Sequence, residues 1–185
     1  LGGNARSAWS INDEGNVVGT SVNATGNDEA FLYRNGAGMM GLGTLGGAHS
    51  SATSINDQGQ IVGFSINSSG NIEAFIYVQE NGMKGIGSLE GDDSFAWDIN
   101  SNGQIVGNSQ NNAGNPEAFI YDQNSGFKGL GTLGGLESFA WAINSNAQIV
   151  GESQNSAGNY FAFLYQEGLG MKNLRSEERR VGKEG

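Results

Sequence analysis

The chain has 185 residues, no cysteine, one histidine and a formal charge of −10. These features exclude thiol catalysis, thiolate metal sites and disulfide staples, and an acidic surface makes nucleic acid and anionic membranes poor partners. No apolar run approaches the roughly 20 residues of a membrane helix, so membrane insertion is not expected.

The chain opens on Leu1-Gly2-Gly3, which is the middle of a motif that returns later and reads as a piece of a longer repeat protein. Ile-Asn falls at 11–12, 55–56, 99–100 and 143–144, each step being 44 residues. Val-Gly follows the same step at 18–19, 62–63, 106–107 and 150–151, and Ala-Phe at 30–31, 74–75, 118–119 and 162–163. The register has no gap, which defines repeats 1–44, 45–88, 89–132 and 133–174 and makes repetition the first fact of the fold.

Four strands are predicted in each copy. In the second they cover Ala52–Asn56, Gln60–Ile66, Glu73–Val78 and Met83–Ser88. The breaks are Asp57-Gln58-Gly59, Asn67 to Asn71 and Gln79 to Gly82, rich in the residues that accept positive φ in hairpin turns. Connections this short join antiparallel neighbours. Phe75 and Tyr77 fall on one face of the third strand and Ala74 and Ile76 on the other, so both faces need cover.

Stacking each sheet between its neighbours supplies that cover. The predicted fold is therefore all-β: four tandem four-stranded antiparallel units forming a β-propeller, either four-bladed or an arc of a larger ring. Leu42–Gly47 and Leu130–Gly135 are read as crossovers from the outer strand of one blade to the inner strand of the next. The alternative is a β-solenoid with two coils per repeat, against which three hairpin-grade turns per copy argue. The glycine in each second strand (Gly19, Gly63, Gly107, Gly151) marks a close backbone approach, with the next blade's tryptophan as the expected neighbour.

The period stops at Leu174. Residues 175–185, RSEERRVGKEG, hold four of the nine cations. This tail is similar to translated adaptor or vector sequence and is set aside from the fold; a charged terminal extension is the other reading.

Leu-Gly-Thr-Leu-Gly-Gly, then Ala-x-x-Ile-Asn-x-x-Gly-Gln-Ile-Val-Gly, then Ala-Phe-x-Tyr, resembles the HAF repeat of extracellular bacterial proteins. The resemblance covers residues 1–174 and implies secretion or surface display, with no catalytic residues. The histidine of the name motif is replaced by Glu29, Glu73, Glu117 and Phe161, so no role of that histidine carries over.

Candidate chemistry is sparse. Glu29, Glu73 and Glu117 would form a partial acidic ring drawing a cation, or stand at strand starts in solvent. The turns Asn12–Asn16 and Asn56–Gln60 faintly resemble calcium loops, but a plain Asx turn accounts for them; no cofactor is required. His49 and Asp92-Asp93 are read as solvated. Trp97 and Trp141 would stack on sugar rings if exposed, although their apolar neighbours favour an interblade core. The loops at Asn67, Asn111 and Asn155 would hydrogen-bond a glycan, or serve as ordinary hairpin turns.

The expected function is a secreted or surface-displayed, non-enzymatic module binding a polysaccharide or protein partner. A purely structural spacer and a polysaccharide-cleaving enzyme are the alternatives.

Overall fold

The computed structural model describes residues 5–175. Sixteen strands form four antiparallel four-stranded sheets, each a simple meander. The first holds β1 (Ala5–Ile11), β2 (Val17–Val22), β3 (Asp28–Arg34) and β4 (Gly38–Gly41). The second holds β5 (Gly46–Ile55), β6 (Ile61–Asn67), β7 (Ile72–Val78) and β8 (Gly82–Gly87). The third comprises β9 (Ser94–Ile99), β10 (Ile105–Gln110), β11 (Pro116–Asp122) and β12 (Gly126–Gly129). The fourth comprises β13 (Gly134–Ile143), β14 (Ile149–Asn155), β15 (Tyr160–Gln166) and β16 (Gly170–Asn173).

Local chemistry explains the meander. In the first hairpin of the second sheet, Asn56 Oδ1 accepts from the Gln60 amide at 3.0 Å, and Gly59 takes a φ of +73°. This is an Asx turn with glycine at the left-handed position. The same turn serves the first hairpin of every repeat, and in the fourth Ala147 replaces the glycine at φ +56°. The expected crossover is shorter than its motif. Gly46 already pairs with Asn67, so β5 begins inside the Leu-Gly-Thr-Leu-Gly-Gly segment.

Consecutive sheets pack face to face, and always in the same sense. Val18, Ala30 and Leu32 of the first sheet lie against Ile55, Ile61, Phe75 and Tyr77 of the second. Val62, Ala74 and Ile76 meet Ile99, Ile105 and Phe119. Val106 and Ala118 meet Ile143, Ile149, Phe163 and Tyr165. A small-residue face thus receives an aromatic face three times over. Burying a side chain of the Phe75 kind removes it from water at a gain of about 1.5–3 kcal/mol.

Polar contacts run along the same seams. Ser50, Ser94 and Ser138 each accept the amide of the alanine 20 residues before them, at 2.9 Å. The asparagines of the first hairpins form a ladder with the repeat's own step. Asn12 Nδ2 donates to the Asn56 carbonyl at 3.2 Å, Asn56 to that of Asn100 at 3.0 Å, and Asn100 to that of Asn144 at 3.0 Å. Buried polar groups are thereby satisfied across sheets as well as within them.

A candidate ligand-binding cleft

The first strand of every sheet carries a β-bulge. Pairing skips one residue between Ala8 and Ser10, Ala52 and Ser54, and Ala140 and Ala142, and skips Trp97 between Ala96 and Asp98. The residues left over are Trp9, Thr53, Trp97 and Trp141. A bulge bends the strand and re-aims the side chain of its extra residue.

The glycine opposite is what makes room. A Cβ on Gly63 would stand 2.0 Å from the Ser51 carbonyl oxygen, and one on Gly107 would stand 1.8 Å from that of Phe95. The close approach expected at these glycines is therefore to the neighbouring strand of the same sheet, not to the next sheet's tryptophan. Backbone folded back by the bulge fills the space a side chain would take.

The four bulge residues converge. Trp9, Thr53, Trp97 and Trp141, with Ser51 and Phe64, line one cleft of about 450 Å³. Its walls are a connected aromatic array. Trp97 and Trp141 lie 5.4 Å apart, Phe64 meets Trp97 edge-on at 5.7 Å, and Phe95 and Phe139 stack on Trp97 and Trp141 at 5.8 and 5.7 Å. Trp97 is oriented by its indole N–H, which donates to Asn108 Oδ1 at 2.7 Å. Thr53 stands where the other repeats have tryptophan, and the missing indole opens the space between Trp9 and Trp97. Thr53 Oγ1 donates to the Ala96 carbonyl at 2.9 Å, and Ser51 Oγ lies 2.6 Å from Thr20 Oγ1. Both hydroxyls keep acceptor capacity toward the cleft.

The expectation of an interblade core for the tryptophans is corrected here. Trp9 is 62 % exposed and Trp141 43 % exposed, while Trp97 is half-buried. The bulge turns these rings out of the sheet-to-sheet seams, which Phe75, Phe119 and their equivalents occupy instead.

The acidic residues are placed otherwise than either sequence reading had them. Glu73 accepts from the Gly87 amide at 3.2 Å and from Asn67 Nδ2 at 3.0 Å. Glu29 does the same with Gly43 and Asn23, and Glu117 with Gly131 and Asn111. These half-buried carboxylates tie a hairpin loop to the crossover of their own repeat. One oxygen of each carboxylate thus holds a backbone amide and the other an asparagine side chain.

Asn67, Asn111 and Asn155 are likewise committed. Asn67 Oδ1 accepts from the Ser69 and Asn71 amides, Asn111 Oδ1 from Ala113 and Asn115, and Asn155 Oδ1 from Ala157 and Asn159. They are Asx-turn residues, and the Nδ2 groups of Asn67 and Asn111 are further taken up by Glu73 and Glu117; at Asn155 the glutamate's place is held by Phe161, so that amide lacks the same acceptor. Asp93 also departs from the solvated reading, because its Oδ1 accepts the Ile72 amide at 2.9 Å; Asp92 and His49 are exposed as expected. Among the described residues, no group of three or more His, Asp or Glu side chains converges as a metal site requires. Of the tail, all but Arg175 lies outside the described residues.

The sequence carried one signal for the cleft: a glycine recurring inside a strand, exactly one repeat apart, marks a bulge or a close backbone approach. The convergence of four bulge residues on one cleft had no local signal.

No family model matches the chain, and no curated protein matches it. Among solved structures, the fold is similar to the crystal structure of TolB from Acinetobacter baumannii, with a TM-score of 0.65 at 18 % identity. The likeness covers 93 % of this chain and 43 % of that one, so this chain spans less than half the length of that structure. At this identity the likeness is one of fold.

Proposed function

We propose that this chain is a non-catalytic, propeller-like repeat module that holds a polysaccharide in its aromatic cleft. The observation that carries the reading is the exposure of Trp9 and Trp141 beside the half-buried Trp97 in one concave site. Indole faces left in water are costly unless something covers them, and a few polar groups among aromatic walls are what a small-molecule or sugar site needs. Pyranose rings offer C–H faces to stack on indoles and hydroxyls to pair with Ser51 and Thr53. The shared orientation of the first strands toward one cleft, together with the likeness of fold to the TolB structure, supports the propeller-like reading over the solenoid. The resemblance to extracellular HAF repeats supports secretion or surface display.

The experiment is a glycan-array screen of the chain, in calcium and in chelator, with Trp141→Ala and Thr53→Trp beside the wild type. Thr53→Trp restores the repeat's usual residue and fills the cleft. Wild-type binding is expected in both buffers, with each variant weakening it by roughly tenfold to a hundredfold, the range for losing a stacked aromatic contact. Binding that Thr53→Trp leaves untouched would move the ligand elsewhere. Binding lost in chelator would return calcium to the site. No binding to any glycan would favour a protein partner or the spacer role.

A further inference from the structure

The second repeat lacks two aromatic side chains that the repeats after it have. Its first strand reads Ser51-Ala52-Thr53, where theirs read Phe95-Ala96-Trp97 and Phe139-Ala140-Trp141. The missing indole at Thr53 opens the cleft already described. The missing phenyl at Ser51 opens a second space beside it, of about 290 Å³, whose lining includes Thr20, Asp28, His49, Ser51, Phe64 and Ile72. This space lies inside the seam between the first and second sheets, both of which the chain itself supplies.

The next seam shows the same place closed. Between the second and third sheets, Phe64 and Phe95 meet edge-on at 5.2 Å, and Asp93 Oδ1 accepts the Ile72 amide at 2.9 Å. Between the first and second sheets those positions hold Thr20, Ser51 and His49, and Thr20 and Ser51 meet through their hydroxyls at 2.6 Å. Two short polar side chains thus stand where two rings fill the following seam. Ser51 and Phe64 line both spaces, so the cleft and its neighbour form one continuous groove. The bond between the two hydroxyls uses one of their protons and leaves the other for a further partner. His49 is exposed, and its main chain is fixed by Ser65, whose Oγ donates to the His49 carbonyl at 3.0 Å. Trp9, Ser51, Thr53, Phe64, Trp97 and Trp141, which line the cleft, carry no charge, and Asp28 stands in the second space of a chain of charge −10. Anionic glycans are therefore disfavoured.

We propose, resting on the reading of the cleft as a glycan site, that the groove holds consecutive sugars of one uncharged chain. One ring stacks among Trp9, Trp97 and Trp141. The next sugar passes Ser51 into the second space, within reach of the Thr20 hydroxyl and the His49 ring. The groove thereby selects an oligosaccharide over a single sugar, and a neutral chain over an acidic one.

The chain carries its own reporters: one histidine, in the second space, and three tryptophans, all in the cleft. Proton NMR of the full chain is followed during titration with glucose and with its β-1,4-linked and β-1,3-linked oligomers of two to four units. Glucose is expected to move indole N–H signals and to leave the His49 ring signals in place. Oligomers are expected to move both sets and to bind roughly tenfold more tightly than glucose, as one or two further net hydrogen bonds would give. Thr20→Phe copies the ring of Phe64 into the second space and alters no residue that lines the cleft. It is expected to abolish the His49 response and the tenfold gain while keeping the indole response. Indole signals that move while His49 stays still at every length overturn the extended groove and leave the cleft reading standing. That wild-type comparison decides the matter whether or not the variant folds. A His49 response undiminished in folded Thr20→Phe also overturns the extension. Stillness of both sets with both series overturns the cleft reading and the extension with it. A uronic-acid oligomer of equal length that binds as tightly overturns the choice of an uncharged chain.

Discussion

At the scale of single residues, the glycines opposite the bulges carry the most consequence. Gly63 has no space for a Cβ, because the Ser51 carbonyl oxygen lies 2.0 Å from where it would be and belongs to backbone that cannot swing aside. Gly63→Ala is expected to cost about 3 kcal/mol or more by straining the bulge, read as a lowered urea midpoint at unchanged slope. Ala147 presents the reverse case. It is the single described non-glycine residue at positive φ, in a turn that uses glycine in the other three repeats. Ala147→Gly is expected to raise stability by about 1 kcal/mol, the left-handed penalty of a Cβ, in the same titration. The glutamates show why residue type alone misled. A carboxylate at a strand start looks solvated until the fold brings the Gly87 amide and the Asn67 side chain to Glu73.

At the scale of elements, what joins one sheet to the next is as much polar as apolar. The ladder asparagines hold an Asx turn with their oxygen and the neighbouring sheet with their nitrogen. Asn100→Asp keeps the acceptor of the turn but sets a buried carboxylate against the Asn144 carbonyl and the Gln104 amide oxygen. A loss of about 3 kcal/mol is expected, as for an uncompensated buried charge. Asn144→Asp places the same charge in solvent and is expected to change monomer stability by under about 0.5 kcal/mol. Chemical denaturation of both variants at neutral pH and low protein concentration checks the contrast. Equal losses would mean that the inter-sheet bond contributes nothing beyond the turn.

At the scale of the whole molecule, the chain behaves as a short linear array in which each sheet depends on its neighbours. Removing residues 133–185 would uncover Val106, Ala118 and Leu130, now covered by Ile143, Ile149 and Phe163. The truncated chain is expected to keep its strand signature in far-UV circular dichroism but to unfold at a clearly lower urea midpoint. The loss is on the order of 5 kcal/mol, from a few large side chains returned to water. An unchanged midpoint would mean that the sheets are independently stable. The same dependence explains why the outermost faces stay apolar: each repeat is written to be covered.

The sequence by itself determined the period, the strand number and the turns. These rest on local chemistry: Asn and Gly at fixed offsets, and alternation that leaves Phe75 and Ala74 on opposite faces of β7. It also marked Gly63 as a point of close approach. Only the tertiary structure decided what Glu73 and Asn67 do, because their partners lie in segments that the chain brings together through a hairpin and a crossover. The cleft belongs to the same class. Trp9, Thr53, Trp97 and Trp141 are each one repeat apart, and a pattern in one strand cannot say whether its extra residue turns into a seam or out of it. That choice is set by the bulge and by the curvature of four stacked sheets, which are properties of the assembled backbone.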